Sequence, residues 1–279
     1  MIPRMKILTT IVCVPLLAAF SILPAQDKKK PAPQKGMITD TAATKSDAAI
    51  KEIDAFIASK KVSTNKKGWR SSLTKPPKLK LSKDMDYFWH METAVGSMKI
   101  RYFADTAPMH VSSGIYLSRL GFYDGLNFHR IIPGFMAQGG CPTGTGRGNP
   151  GYFMAGEFSG GRTHSKAGIL STANTGRPVS EGSQFFLTFG PTRQLDKKYT
   201  IWGEVVEGQA TLAALAKLGS SANNGMLKNG PKIVRSWVEA KPKKVARTIP
   251  AADPAKPATG KGPRKKAKKG LVRELSEGK

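Results

Sequence analysis

From Tyr87 onward the chain is cut into short apolar segments by turn residues, a texture that admits strands and loops and little else. Residues 87–93 and 97–103 alternate around Ala94-Val95-Gly96, which predicts a hairpin. Further short strands are expected at 128–131, 135–138, 168–174, 184–189, 200–205 and 232–239. Only two helices fit among them. One opens at Asp105-Thr106-Ala107-Pro108, carries Val111, Ile115 and Leu120 on one face and stops at Gly121; the other covers about 209–218. With 29 Gly and 19 Pro in 279 residues a long helical bundle is excluded. Many strands and two helices predict a mainly β fold, a closed barrel with helical plugs.

Charge divides the chain differently. The net charge of +26 falls as +10 over residues 1–90, +6 over 91–240 and +10 over 241–279, so the flanks carry most of it. Residues 1–25 read as a secretory signal: Arg4 and Lys6 precede an apolar run from Ile7 to Leu23. Cleavage after Ala25 places the protein outside the cytoplasm, periplasmic or secreted; an uncleaved membrane anchor is the alternative, because Leu23 is larger than the small residue preferred there. Residues 26–86 form a basic linker holding one amphipathic helix, with Ser46 as its N-cap and Ile50, Ile53, Phe56 and Ile57 on one face. Residues 241–279 are rich in Lys, Pro and Ala and have little to bury, so a disordered tail is expected. Such basic flanks suit weak contact with an anionic membrane or envelope polymer, with no specific nucleic acid as partner. Cys13 and Cys141 give no disulfide framework, since Cys13 lies in the signal.

Motif chemistry is mostly absent. Gly146–Gly151 matches GxGxxG by letter, but Pro150 and Gly151 prevent the helix that a dinucleotide site needs. No metal-binding or nucleophile motif occurs, and His90, His110, His129 and His164 are scattered. His129 and Arg130, adjacent on a strand, must face opposite sides of it, so His129 reads as packed structure. The most informative stretch is Phe128-His129-Arg130-Ile131-Ile132-Pro133-Gly134-Phe135-Met136-Ala137-Gln138-Gly139-Gly140. Taken alone, it reads as a solvent-facing arginine followed by a core pair.

Together with Gly168-Ile169-Leu170-Ser171-Thr172-Ala173-Asn174 and Gly182-Ser183-Gln184-Phe185-Phe186-Leu187-Thr188, that stretch resembles the cyclophilin-type peptidyl-prolyl cis-trans isomerases over residues 87–240. The resemblance implies an eight-stranded antiparallel barrel capped by two helices, acting without cofactor or metal and as a monomer on proline-containing peptides and unfolded exported proteins. By position it implies a catalytic role for Arg130. Phe135, Met136, Phe186 and Leu195 would wall the proline pocket, with Tyr199 flanking it, and Gln138, Ala173, Asn174 and Gln184 would grip the peptide. A non-catalytic proline-peptide binding module is the alternative. Two positions depart from many members: Gln194 stands where they have Trp, which is associated with cyclosporin binding, and Tyr199 where they have His.

The physics suits such a set. Rotation about an Xaa-Pro bond is opposed by ~18–20 kcal/mol of lost resonance and needs no nucleophile or proton shuttle. Shortening tens of seconds to milliseconds requires roughly 5–6 kcal/mol. One charge-assisted hydrogen bond from a guanidinium, in oily surroundings that orient the substrate, is of that order.

Overall fold

The computed structural model describes residues 40–243. The expected signal, the Lys/Pro-rich part of the linker and nearly all of the basic tail lie outside the described residues. Among the described residues, no helix is long and apolar enough to cross a membrane.

The main sheet is antiparallel and has eight strands. Its first hairpin pairs β1 (Met85–Thr93) with β2 (Gly96–Tyr102), as the alternation predicts. The other strands are β3 (Arg130–Ile132), β4 (Met136–Gly139), β6 (Ile169–Thr172), β8 (Phe185–Thr188), β9 (Ile201–Glu207) and β10 (Ile233–Pro242), in the order β10-β1-β2-β9-β6-β8-β4-β3. A separate two-stranded ladder of β5 (Met154–Ala155) and β7 (Val179–Glu181) was not foreseen: these strands are too short to show a period.

The expected closed barrel is formed only in part. The end strands β10 and β3 do not pair with each other; the segments beside them meet through single bridges, Asn127 with Lys232 and Arg130 with Met226. Four backbone bonds between residues 125–129 and 227–233 make this seam, including Phe128 N to Pro231 O at 2.9 Å. Proline at 231 has no N–H to extend a ladder there.

The two helices of the domain are α3 (Pro108–Arg119) and α4 (Gln209–Lys217). Helix α3 lies against an aromatic core in which Trp89, fully buried, packs on Tyr102, Tyr123, Phe185 and Trp202 with ring centroids 4.8–6.3 Å apart. Gly114 makes that approach possible: a Cβ there would fall 2.5 Å from Trp202 and 2.9 Å from the Tyr102 hydroxyl.

The N-terminal extension docks on this body. It contains two helices rather than one, α1 (Ala42–Ser46) and α2 (Ala48–Lys60), and Ser46 ends the first instead of capping the second. The cap of α2 is Asp47, which accepts from Ile50 N and also from the Tyr87 hydroxyl at 3.0 Å. A carboxylate can satisfy the helix end and the sheet at once, which explains the shift. Ile50 and Ile53 are buried, and Phe56 meets Tyr116 of α3 edge-on at 5.6 Å. The Arg119 fork grips Asp54 through Nε and Nη2, and its Nη1 donates to Asp40. Further along, the Arg70 guanidinium donates to the carbonyls of Phe122 and Asp124, and Leu73 and Leu79 are buried, so the connector is fastened along its length. The tail was expected to leave the fold at 241, but Lys241 and Pro242 belong to the sheet, paired with Asp86 and Met85.

Gly114→Ala tests the close packing of α3. Helix propensity alone would make Ala more stable by about 0.8–1 kcal/mol, whereas overpacking against Trp202 costs about 1–3 kcal/mol. The expected outcome is a lower thermal midpoint; a raised one would contradict this packing account.

Candidate active site

Register brings the candidate residues together. Arg130 pairs with Gln138, Gln138 with Phe186 and Phe186 with Ser171, so one row runs across β3, β4, β8 and β6 on a single face. The next row on that face contains Ile132, Met136 and Thr188. The intervening row, Ile131, Ala137, Leu187 and Leu170, is wholly buried in the core. Alternation also separates His129 from its neighbour: His129 is fully buried, and burial lowers its pKa to about 4, the Arg130 charge adding to the effect. It is a neutral packed residue, as expected.

Arg130 is half-buried and, among the described residues, bonds no carboxylate. Its Nε donates to Asn224 O at 2.8 Å, Nη2 to Asn224 Oδ1 at 2.7 Å, and Nη1 makes a long contact of 3.4 Å with Gln138 Oε1. Among the described residues, one N–H on each terminal nitrogen has no partner. Partial burial lowers the guanidinium pKa and Tyr199 opposes that shift, but an arginine remains charged at any physiological pH. Sequence reasoning missed Asn224. It lies in the turn Ala222–Gly225, where Asn223 and Asn224 are both left-handed, with φ of 49° and 52°. The run Asn223-Asn224-Gly225 was the available signal for such a turn.

The amides form the next layer. Gln138 Nε2 donates to Gln184 Oε1 at 3.0 Å, and Gln184 Nε2 donates to the carbonyls of Gly146 and Gly148, both at 2.8 Å. The glycine-rich stretch is therefore a loop bordering the groove. Its other anchor is buried Cys141, whose sulfur accepts from Gly146 N and Gly148 N.

Phe186 is 4% exposed and Met136 2%, so both can present only small apolar surfaces to a ligand. The Phe186 ring is held between His164, stacked at 6.0 Å, and Tyr199, edge-on at 5.5 Å. Phe135 lies in the turn before β4, outside the strand expected for it; its ring is half-buried and stacks on none of the aromatic rings above. Leu195 is half-buried in the turn Arg193–Leu195, and Gln194 beside it is exposed. Ala173 N donates to Gln184 O, and the Asn174 amide donates to Lys198 O next to Tyr199. Eight of the ten candidates are thereby placed on, or linked to, one face of the sheet; Phe135 and Leu195 lie in turns beside it.

Asp196, His164 and Ser171 follow one another at 2.8 Å each, the order of a nucleophilic triad. Ser171 is 0% exposed, so no carbonyl carbon can reach its oxygen. The His164 pKa is lowered by burial, against the pull of Asp196, and the ring serves as the neutral backing of Phe186. A cavity of about 360 Å³ under α4 contains none of the candidate residues. The candidate row lies on the sheet face opposite the buried core row.

The family model described as cyclophilin type peptidyl-prolyl cis-trans isomerase/CLD matches residues 88–238, more than half of the chain. The chain belongs to the cyclophilin family. It is, with that family, a peptidyl-prolyl cis-trans isomerase. Among curated cyclophilins, peptidyl-prolyl cis-trans isomerase-like 1 of Rhizopus delemar is 44% identical over 137 residues, covering 48% of this chain and 82% of that protein. A peptidyl-prolyl cis-trans isomerase of Synechococcus elongatus is 45% identical over 120 residues, covering 43% and 81%. A solved cyclophilin type isomerase of Cryptosporidium parvum superposes with a TM-score of 0.53 at 30% identity, covering 56% of this chain and 99% of that one. The same protein has been solved in the presence of the dipeptide Ala-Pro, with a TM-score of 0.51. The matched region leaves out α1, α2 and the connector.

Asn224→Gly keeps the left-handed turn and removes one acceptor from the Arg130 fork. Losing one hydrogen bond to a charged group, worth about 1.5–3 kcal/mol at most, predicts a fall in kcat/KM on the order of tenfold with the thermal midpoint nearly unchanged. Wild-type kcat/KM in a peptide isomerisation assay would show that Asn224 does not aim the guanidinium.

Proposed function

We propose that Arg130 is the catalytic residue of this isomerase and that the groove beside it holds the proline of an Xaa-Pro bond. The observation that carries the assignment is a guanidinium that, among the described residues, is held by neutral oxygens only and keeps unused donors, on the same row as Phe186. A carboxylate partner would compete for those donors; an amide carbonyl and an amide side chain orient the fork and leave its charge uncompensated. As the C–N bond twists, resonance is lost and the proline nitrogen regains its lone pair. A donor aimed at that nitrogen, or at the carbonyl oxygen, stabilises the twisted form more than either planar one. Met136, Phe186 and Tyr199, with Phe135 and Leu195 at the margins, hold the ring. Gln138, Gln184, Ala173 and Asn174 hold the flanking chain, so rotation is confined to one bond.

Proline-containing peptides are then the substrates. Chains in transit outside the cytoplasm are the proposed clients, supported by the basic and apolar character of residues 1–25, with the basic flanks offering weak contact to anionic surfaces. N-terminal sequencing of the protein exported by its own host checks this: the expected start is near Gln26, and an intact Met1 on cytoplasmic protein would contradict it.

Arg130→Ala is the test of the catalytic role. Loss of one charge-assisted interaction of about 2–3 kcal/mol predicts a drop in kcat/KM of roughly a hundredfold on a short Xaa-Pro peptide. Equal rates for variant and wild type would refute the assignment.

A further inference from the structure

His110, in the first turn of α3, is buried between two carboxylates. Its Nδ1 lies 2.6 Å from Glu157 Oε2 and its Nε2 lies 2.7 Å from Glu181 Oε2, with side-chain exposures of 1%, 21% and 2% for His110, Glu157 and Glu181. The Glu181 contact is an ion pair at 2.7 Å, and neither of those two atoms has another partner, so the two buried groups depend on each other. No other charged group faces the ring among the described residues; the Tyr152 phenol, one turn along, shares a hydrogen bond with Ser113. Desolvation pulls the His110 pKa down, but the two carboxylates outweigh it and raise it above the ordinary value. Two carboxylates with a neutral ring between them would leave buried negative charge facing buried negative charge.

The carboxylates are also bound to the groove. Glu157 caps α3, accepting from Met109 N and His110 N, and its own N donates to Thr200 Oγ1 at 2.8 Å. Glu181 Oε1 accepts from the Asn174 side-chain amide at 2.9 Å and from Thr200 N at 3.3 Å. The same Asn174 amide donates to Lys198 O. Asn174 and the segment 198–200, which carries Tyr199, are thus hung on the pair of acids that His110 joins.

We propose that His110 is a positioning residue of the isomerase groove, a buried imidazolium that draws Glu181 and Glu157 together and so holds Asn174 and Tyr199 where the peptide meets them. The proposal rests on the reading of Asn174 and Tyr199 as peptide-contacting residues. It does not depend on Arg130 being catalytic.

Two measurements test it. Nitrogen NMR of the full chain at pH 7 should show both ring nitrogens of His110 protonated; a neutral ring would overturn the proposal. Glu181→Gln keeps an acceptor for Asn174 and removes the charge that pairs with His110, and His110→Ala removes the ring. Titration with an Ala-Pro-containing tetrapeptide should give a Kd about five- to tenfold weaker for each folded variant. A purely structural role would lower the thermal midpoint and leave Kd unchanged, and that result in Glu181→Gln sinks the proposal even if His110→Ala does not fold. Because Kd is read without turnover, a failure of the Arg130 assignment would appear in kcat alone and be distinguished from a failure here.

Discussion

The strip β3-β4-β8-β6 has to satisfy two environments at once, and the period of two along each strand is what allows it. Alternate rows carry opposite duties: Ile131, Ala137, Leu187 and Leu170 seal the core, while Arg130, Gln138 and Phe186 lie on the other face, with Ser171 buried at the end of their row. A one-residue slip in any of these short ladders would bury the guanidinium and expose the core row. Register is held by the aromatic mass behind it, in which Trp89 and Phe185 pack at 5.0 Å, and by the backbone bonds between residues 125–129 and 227–233. Arg130 owes its position to that seam as much as to its own strand, because Asn224 comes from the far side of it.

The groove uses few charges. Arg130 is steered by neutral acceptors, Phe186 is backed by a neutral histidine, and the amides of Gln138 and Gln184 pass the orientation on to the glycine loop. The acids lie further back, at Glu157 and Glu181, where they fasten α3, Asn174 and the segment before β9. Such an arrangement suits a reaction with no net charge change. A carboxylate beside the guanidinium would spend its field on the protein instead of the twisting amide.

Much of this was legible in the residues. The hairpin at β1 and β2 follows from alternation and helix α3 from Pro at its start and Gly at its stop, while the strip strands and α4 were expected at nearly their observed places from short apolar segments between turn residues. Eight of the ten site residues came from three motifs in a family order, and Leu195 and Tyr199 from the segment after the third, not from periodicity; Arg130 by itself reads as a solvent-facing residue. What stayed hidden depended on partners distant in the chain. Asp47 caps α2 because Tyr87 arrives from the sheet, Glu157 caps α3 from a loop, and Asn224 reaches Arg130 across the seam. His110 looked like one of four scattered histidines, since nothing local announces that two acids more than forty residues away converge on it. The closed barrel was expected from strand count, and strand count says nothing about whether the last pair of edges will meet.

The central claim is that the guanidinium distinguishes a twisted imide from a flat one, and the separation of affinity from turnover tests it most directly. For Arg130→Lys, which keeps the charge and loses the planar fork, exchange NMR on a bound Ala-Pro peptide would give the ground-state Kd and the on-enzyme isomerisation rate in one sample. The account predicts a Kd within about twofold of wild type and an isomerisation rate lower by at least about tenfold, as removal of an interaction made only in the transition state requires. A rate that holds while Kd weakens would contradict it, and would make Arg130 a residue that merely binds.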